Sequence, residues 1–199
     1  MNATAIEQRT AIDGYELLTT RTSSARLVEP GPSEAELQKI LYAAACAPDH
    51  GRKTPWRFVV VSGSSRARFG ELMAASLQRR DPNASPAKLQ LERDKPMRAP
   101  LIVVTAAVTR EDPAVPGVEQ ILAVGAATQN ILLAAHALGY GSFWRTGATA
   151  RDDSVKEGLG LAPENTIVGF IYIGTSEVPA RPRQVELGAV TMRLTTNGE

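Results

Sequence analysis

The segment Gln120 to Ala148, QILAVGAATQNILLAAHALGYGSFWRTGA, restricts the fold more than any other stretch of the chain. From Ile121 to Leu138 apolar residues occupy almost every position around the helical wheel, where a surface helix shows one apolar stripe. The pattern predicts a core helix enclosed on nearly all sides. Ala123, Gly125, Ala126, Ala127, Ala134, Ala135 and Ala137 let neighbouring helices approach its backbone, within the chain or across a subunit boundary. Leu122, Val124, Ile131, Leu132, Leu133 and Leu138 supply the bulk. Gly139 stands where a helix ends through a left-handed residue. The polar and aromatic exit from Tyr140 to Thr146 is the first place to seek a site.

A helix of this kind needs other apolar faces to cover it. Trp56–Ser62 (WRFVVVS) reads as a strand, Leu101–Val108 as a central strand, and Thr166–Gly174 as the last strong strand. Ser142–Arg145 reads as a short one. Ser33–Cys46 is the clearest helix: Ser33 and Glu36 form a capping box, Leu37, Ile40, Leu41 and Ala44 follow at helical spacing, and Pro48 stops it. Further helices are expected over Ile12–Thr19, over Arg66–Arg80 with Ser64 or Ser65 as cap, over Ala87–Asp94 and over Arg151–Leu159. Residues 1–10 read as frayed, and residues 176–199 as an arm. The 199 residues are expected to form a single α+β domain, a sheet covered by helices, that buries roughly 70% of the unfolded chain's surface.

Several function classes lose ground. With 22 basic and 21 acidic residues and no basic block, the chain has no electrostatic footprint for nucleic acid. Its one cysteine, Cys46, excludes an internal disulfide. The N-terminus MNATAIEQRT lacks a signal-peptide layout, and Gln129, Asn130 and His136 leave the apolar helix short of an unbroken spanning segment. A cytoplasmic protein without a membrane partner is expected. There is no phosphate loop of the G-x-x-x-x-G-K type, no G-x-S-x-G elbow and no metal-ligand spacing around His50 and His136. Gly139-Tyr140-Gly141 follows a helix instead of a strand, so it is no dinucleotide fingerprint.

Three polar loops remain, each at the end of an element. Arg21-Thr22-Ser23-Ser24 can grip a phosphate through one guanidinium and three hydroxyls, or can simply satisfy a helix terminus. In Ala47-Pro48-Asp49-His50, His50 can present a donor to a ring system or be an ordinary surface residue, while Trp56 below it reads as core. In Ser142–Gly147, Trp144 either stacks or fills the core, and Arg145 either serves a site or pairs with an acid such as Glu119. Cys46 reads as a small buried hydrophobe, and His136 as a satisfied core or interface residue.

Taken in order, Arg21-x-Ser23, Ala47-Pro48-Asp49-His50 with Pro55-Trp56, Ala99-Pro100-Leu101-Ile102, Gly139-Tyr140-Gly141 with Trp144-Arg145-Thr146-Gly147, and Val168–Gly174 resemble the nitroreductase family of FMN-dependent oxidoreductases. The likeness is to its short subgroup with the A-P-D-H loop and runs from about Tyr15 to Gly174. It implies a central, mainly antiparallel sheet flanked by helices, and a homodimer with FMN at the interface. NADH or NADPH is the implied donor, and a nitroaromatic or quinone-type small molecule the acceptor. A flavin-binding or sensing protein of the same fold is the alternative. Carried over by residue, Arg21, Thr22 and Ser23 would hold the FMN phosphate and ribityl chain, and Pro48, Asp49 and His50, with Cys46 nearby, would reach the flavin of the other subunit. Trp144, Arg145 and Thr146 would lie against the ring, and Gly139 would contact the nicotinamide cofactor. The flavin carries the chemistry, so no catalytic side chain is implied. Ala25 stands where many members have a basic residue, and Arg181 or Arg183 is the only candidate for a C-terminal basic contact to phosphate.

Overall fold

The apolar run Leu101–Ala107 forms the strand on which the others assemble, and all seven of its residues are buried. The computed structural model describes residues 13–178, 181 and 184–194. Its elements are α1 (Gly14–Thr20), β1 (Leu27–Val28), α2 (Glu34–Ala45), β2 (Trp56–Ser62), α3 (Ser65–Arg80), α4 (Pro86–Asp94), β3 (Leu101–Ala107), α5 (Gly117–Ala137), β4 (Gly141–Arg145), α6 (Asp153–Gly158) and β5 (Thr166–Ser176). The sheet runs β1-β5-β3-β2, and β4 also pairs with β5. Every pairing is antiparallel. On the edge of β5 away from β3, β4 lies against Phe170–Gly174 and β1 against Thr175 and Ser176.

The period of two divides β3 between two cores. Leu101, Val103 and Ala107 pack with Ile40, Val124, Ile131, Ile171 and Trp56 under α2 and α5. Ile102, Val104 and Ala106 pack on the other side with Phe69, Met73, Val155 and Phe170. The register shift between Thr105 and Ala106 falls on β5, where Val168 is the extra residue, so Ile167 joins the second core while Ile171 and Ile173 stay in the first. The sheet is thus the middle layer between α2/α5 and α3/α6. The α+β class with an antiparallel sheet is as expected, and Trp56 is core.

Four expectations need correction. Helix α5 starts one turn earlier than the apolar run, and the described residues cover only one of its faces: Gln120, Ala123, Val124, Ala127, Thr128, Ile131, Leu132 and Ala135 are buried. Leu122 is 66% exposed and Val118 62%. By length and composition α5 is also apolar enough to cross a membrane, despite its amides; its buried stripe instead packs on the sheet. The expected helix over Arg151–Leu159 is a 3-10 turn, Ala148–Arg151, followed by α6, because Asp152 caps the N–H of Ser154 and restarts the chain there. Strand β1 was not anticipated, since two residues carry no periodicity. Within the expected arm, Ser176 ends β5 against β1, and the described residues 184–194 are exposed and hold one 3-10 turn, Leu187–Ala189. Residues 1–10, Ile12 and Arg183 lie outside the described residues.

Candidate active site

Helix α1 ends at Thr20, Arg21 turns extended, and Ser23 then bridges Ser142 beside β4, with the Ser24 N–H donating to the Ser142 carbonyl at 3.0 Å. Helix α5 ends against the same segment. Gly139 adopts φ +78° and donates to the His136 carbonyl, while Tyr140 donates to that of Ala135, so the orphaned carbonyls are satisfied and the chain turns directly into β4. At Gly141 a Cβ would meet Leu27 Cδ2 and Ser176 Cβ, both at 2.8 Å, so only glycine lets β1, β4 and β5 converge there.

This convergence encloses a cavity of about 260 Å³ lined by Arg21, Thr22, Ser24, His136, Ser142 and Ser176, with Gly139 at its wall. Among the described residues no acid lines it. Among the described residues, Arg21 Nη1 is buried there without a hydrogen-bond partner, and Arg21 makes no ion pair. Burial costs a guanidinium hydration, so the geometry asks for an anion that accepts from it. His136 Nε2 lies 3.0 Å from Thr20 Oγ1. Burial, and then the nearby Arg21 charge, hold the His136 pKa below the usual histidine value, with Glu16 opposing. Ser23 is exposed; Ser24 lines the cavity in its place and bonds Ser176 Oγ at 2.7 Å.

At the other end of β4 a second cavity, about 230 Å³, contains Lys95, Arg98, Arg145, Thr146, Phe143 and Tyr172 beside Trp144. Trp144 is fixed: its Nε1 donates to the Val168 carbonyl at 3.1 Å, over Gly169, where any Cβ would lie 2.2 Å from that nitrogen. The Arg145 guanidinium sits 4.1 Å above the Phe143 ring and 5.8 Å from that of Tyr172. Burial pushes the Tyr172 hydroxyl up to about 12, against the lowering effect of Arg145 and Arg98. The expected pairing of Arg145 with Glu119 is not formed, because Glu119 accepts from His50 Nδ1 at 2.6 Å.

The loop after α2 lies elsewhere. Cys46 is exposed, contrary to the expected burial, since it caps a helix end that faces outward. Pro48 follows it, and the Asp49 carboxylate accepts from Thr54 N–H. That bond closes a loop in which Arg52 and Thr54 hold positive φ, so Asp49 is engaged in holding its own backbone. His50 is tied to the first turn of α5, whereas Arg21 and His136 stand at the last. Seventeen residues of helix place the two ends about 25 Å apart at 1.5 Å per residue. One protomer therefore joins Arg21, Thr22 and Gly139 in one cavity and Trp144, Arg145 and Thr146 in the next, but does not bring Cys46, Pro48, Asp49 and His50 to either.

The residues that sequence reasoning passed over are Ser176 in the first cavity and Lys95 and Arg98 in the second; Ser24 and Ser142 stood in the polar loops already singled out. The basic pair flanking Pro96-Met97 was the one available signal.

Comparison with known proteins agrees with this geometry. A model of the Nitroreductase family matches residues 19–175. YdjA of Escherichia coli (strain K12), provisionally named an NAD(P)H nitroreductase, is 39% identical over 171 residues, covering 85% of this chain and 91% of that protein. Among solved structures, a nitroreductase-like family protein from Bacillus cereus superposes with a TM-score of 0.81 at 22% identity, over 96% of this chain and 100% of the other. A nitroreductase with bound FMN from Bacteroides fragilis NCTC 9343 gives 0.69 at 20% identity, over 90% and 98%. With a matching family model spanning most of its length and a curated relative at this identity, the chain belongs to the nitroreductase family.

Proposed function

We propose that the protein is an NAD(P)H-dependent oxidoreductase with FMN as resident cofactor and an electron-poor small molecule, nitroaromatic or quinone in type, as acceptor. The observation that carries this reading is the buried Arg21 Nη1, without a partner among the described residues, in a hydroxyl-lined cavity at one end of β4, with a second cavity rich in cations and aromatic rings at the other end. The residues fit the group. Arg21 supplies charged donors for a phosphate, and Thr22 supplies a hydroxyl at the same wall, where Ser24 is held by the Arg26 carbonyl and Ser176. β4 is five residues long, about 16 Å, a span suited to a ligand with a phosphate at one end and a ring at the other. Bound FMN supplies the hydride chemistry between nicotinamide and acceptor. The chain supplies position and field. Trp144, locked on the Val168 carbonyl, fixes the wall of the second cavity, and Arg145 and Arg98 hold positive charge where negative charge would develop, while Lys95 is paired with Glu92.

The proposal includes a homodimer. The separation of the Pro48–His50 loop from Arg21 along α5 supports it, because a second copy with its α5 antiparallel would bring that loop to the other's cavity. The exposed Val118 and Leu122 lie on the face such a contact would cover.

The test is an absorption spectrum of purified protein after addition of FMN, followed by steady-state oxidation of NADH and NADPH with a nitroaromatic and a quinone. Flavin bands shifted by binding, with turnover well above that of free FMN, are expected. Shifted bands without turnover would leave a flavin-binding or sensing protein, and unshifted bands would overturn the reading.

A further inference from the structure

A phosphomonoester carries about −1.5 to −2 charges at neutral pH, yet among the described residues the first cavity offers one permanent cation, Arg21. The position two after Ser23 is Ala25, exposed and without charge, and neither Arg26 nor Arg181 lines the cavity. The remaining titratable nitrogen at its wall is the imidazole of His136, held half-buried on the last turn of α5. We infer that His136 is the second cation of the phosphate grip, taking up a proton at Nδ1 as the phosphate of FMN binds beside Arg21. The inference rests on the flavin reading above and deepens it.

Hydrogen bonding assigns the tautomer. The single hydroxyl proton of Thr20 goes to the Glu16 carbonyl at 2.7 Å, so Thr20 Oγ1 must accept from His136, and the neutral ring keeps its proton on Nε2. Nδ1 then carries the lone pair that a proton can occupy. Among the described residues, the groups near the ring are Glu16 and Thr20 on α1, Arg21 after it, Tyr140 with its hydroxyl donating to Glu36, and Ser142 and Ser176 lining the same cavity. In the free protein, burial and Arg21 both favour the neutral imidazole, and Glu16 opposes them. A dianion between Arg21 and His136 reverses the balance, because it neutralises the guanidinium and attracts the imidazolium. The sign follows. Binding raises the His136 pKa, so FMN affinity contributed by His136 is present at low pH and is lost as pH rises from the free-state pKa through the bound-state pKa.

The test measures FMN and riboflavin affinity by flavin fluorescence for the wild type, His136→Gln and His136→Lys at about pH 6 and about pH 8.5. Proton uptake is read by titration calorimetry in buffers of unequal ionisation enthalpy. Glutamine keeps an amide donor to Thr20 without a titratable group, and lysine makes the charge permanent. The expected result is about tenfold weaker FMN binding by His136→Gln at the lower pH, with proton uptake on FMN binding abolished. At the higher pH the expected difference is small. Riboflavin, lacking the phosphate, should bind all three proteins alike, and His136→Lys should hold FMN independently of pH in this range. FMN affinity and proton uptake left unchanged by His136→Gln would overturn this inference alone. So would a loss confined to NADH or NADPH binding. Failure of the wild type to bind either flavin would overturn the flavin reading and this one together.

Discussion

Arg21 is the residue whose local energetics depend most on a ligand. A buried guanidinium nitrogen without an acceptor destabilises the free protein and rewards whatever anion arrives. Arg21→Ala should therefore weaken FMN binding by about 1.5 to 3 kcal/mol, the range for a hydrogen bond to a charged group. The ligand-free protein should melt no lower than the wild type, since the variant removes an unsatisfied donor. Arg21→Lys should recover part of the affinity, because a point charge replaces a fork. Equal FMN affinity in Arg21→Ala, measured by fluorescence titration, would remove Arg21 from the site. Asp152 makes a different requirement, on pH. Burial alone would raise its pKa, but Ser76 close by, the Arg79 guanidinium at 3.1 Å and the Ser154 N–H reverse the sign and leave it lowered. A carboxyl with a depressed folded pKa contributes stability above its unfolded value of about 3.9 and loses it as pH falls through the folded value. Thermal unfolding should show that acid loss in the wild type and a weaker one in Asp152→Asn. The residues of the first cavity were partly legible in the chain, because Arg21-Thr22-Ser23 juxtaposes a guanidinium with hydroxyls. Ser24 stood in the same run, but His136 and Ser176 could not be read as partners, since only the fold brings the end of α5, the Ser23–Ser142 bridge and the end of β5 together.

Among the elements, α2 shows how a cap is tied to a site. Glu36 Oε2 accepts from the Ser33 N–H at 2.9 Å, from Ser33 Oγ at 2.7 Å and from the Tyr140 hydroxyl at 2.9 Å. The capping box thus anchors the residue that follows the Gly139 turn. Ser33→Ala should cost about 1 kcal/mol in chemical denaturation, as a lost N-cap does. Tyr140→Phe should cost about 0.5 to 1.5 kcal/mol, and its combination with Glu36→Ala should fall short of the sum of the two, because the variants share one bond. Strict additivity would show that the Tyr140–Glu36 contact carries no stability. Ser33-x-x-Glu36 was readable because a capping box is local, and so were Trp56–Ser62 and Leu101–Ala107, whose alternation or continuous apolarity is internal to each strand. The same logic explains the failures. Leu27–Val28 is a strand only because Thr175 and Ser176 pair with it, and the apolar wheel of α5 cannot say which of its faces another molecule covers.

At the scale of the whole molecule, α5 separates two groups that the flavin reading needs together. His50 is tied to Glu119 at its start, and Arg21 stands beside His136 at its end. No rearrangement of side chains closes a gap of about 25 Å, so a site using both must draw them from two chains. The exposed apolar pair Val118 and Leu122, one turn apart on α5, has no cover among the described residues, while the opposite face is packed. Burying Leu122 alone stabilises an interface by roughly 1.5 to 3 kcal/mol, and a desolvated guanidinium in its place would exceed that gain. Leu122→Arg should therefore halve the particle mass seen by sedimentation equilibrium and raise the FMN dissociation constant by at least tenfold. Its far-UV spectrum should stay unchanged, because position 122 contributes nothing to the protomer core. A wild type that sediments as one chain while holding FMN tightly would sink the two-chain site, and would require the Pro48–His50 loop to have no part in it.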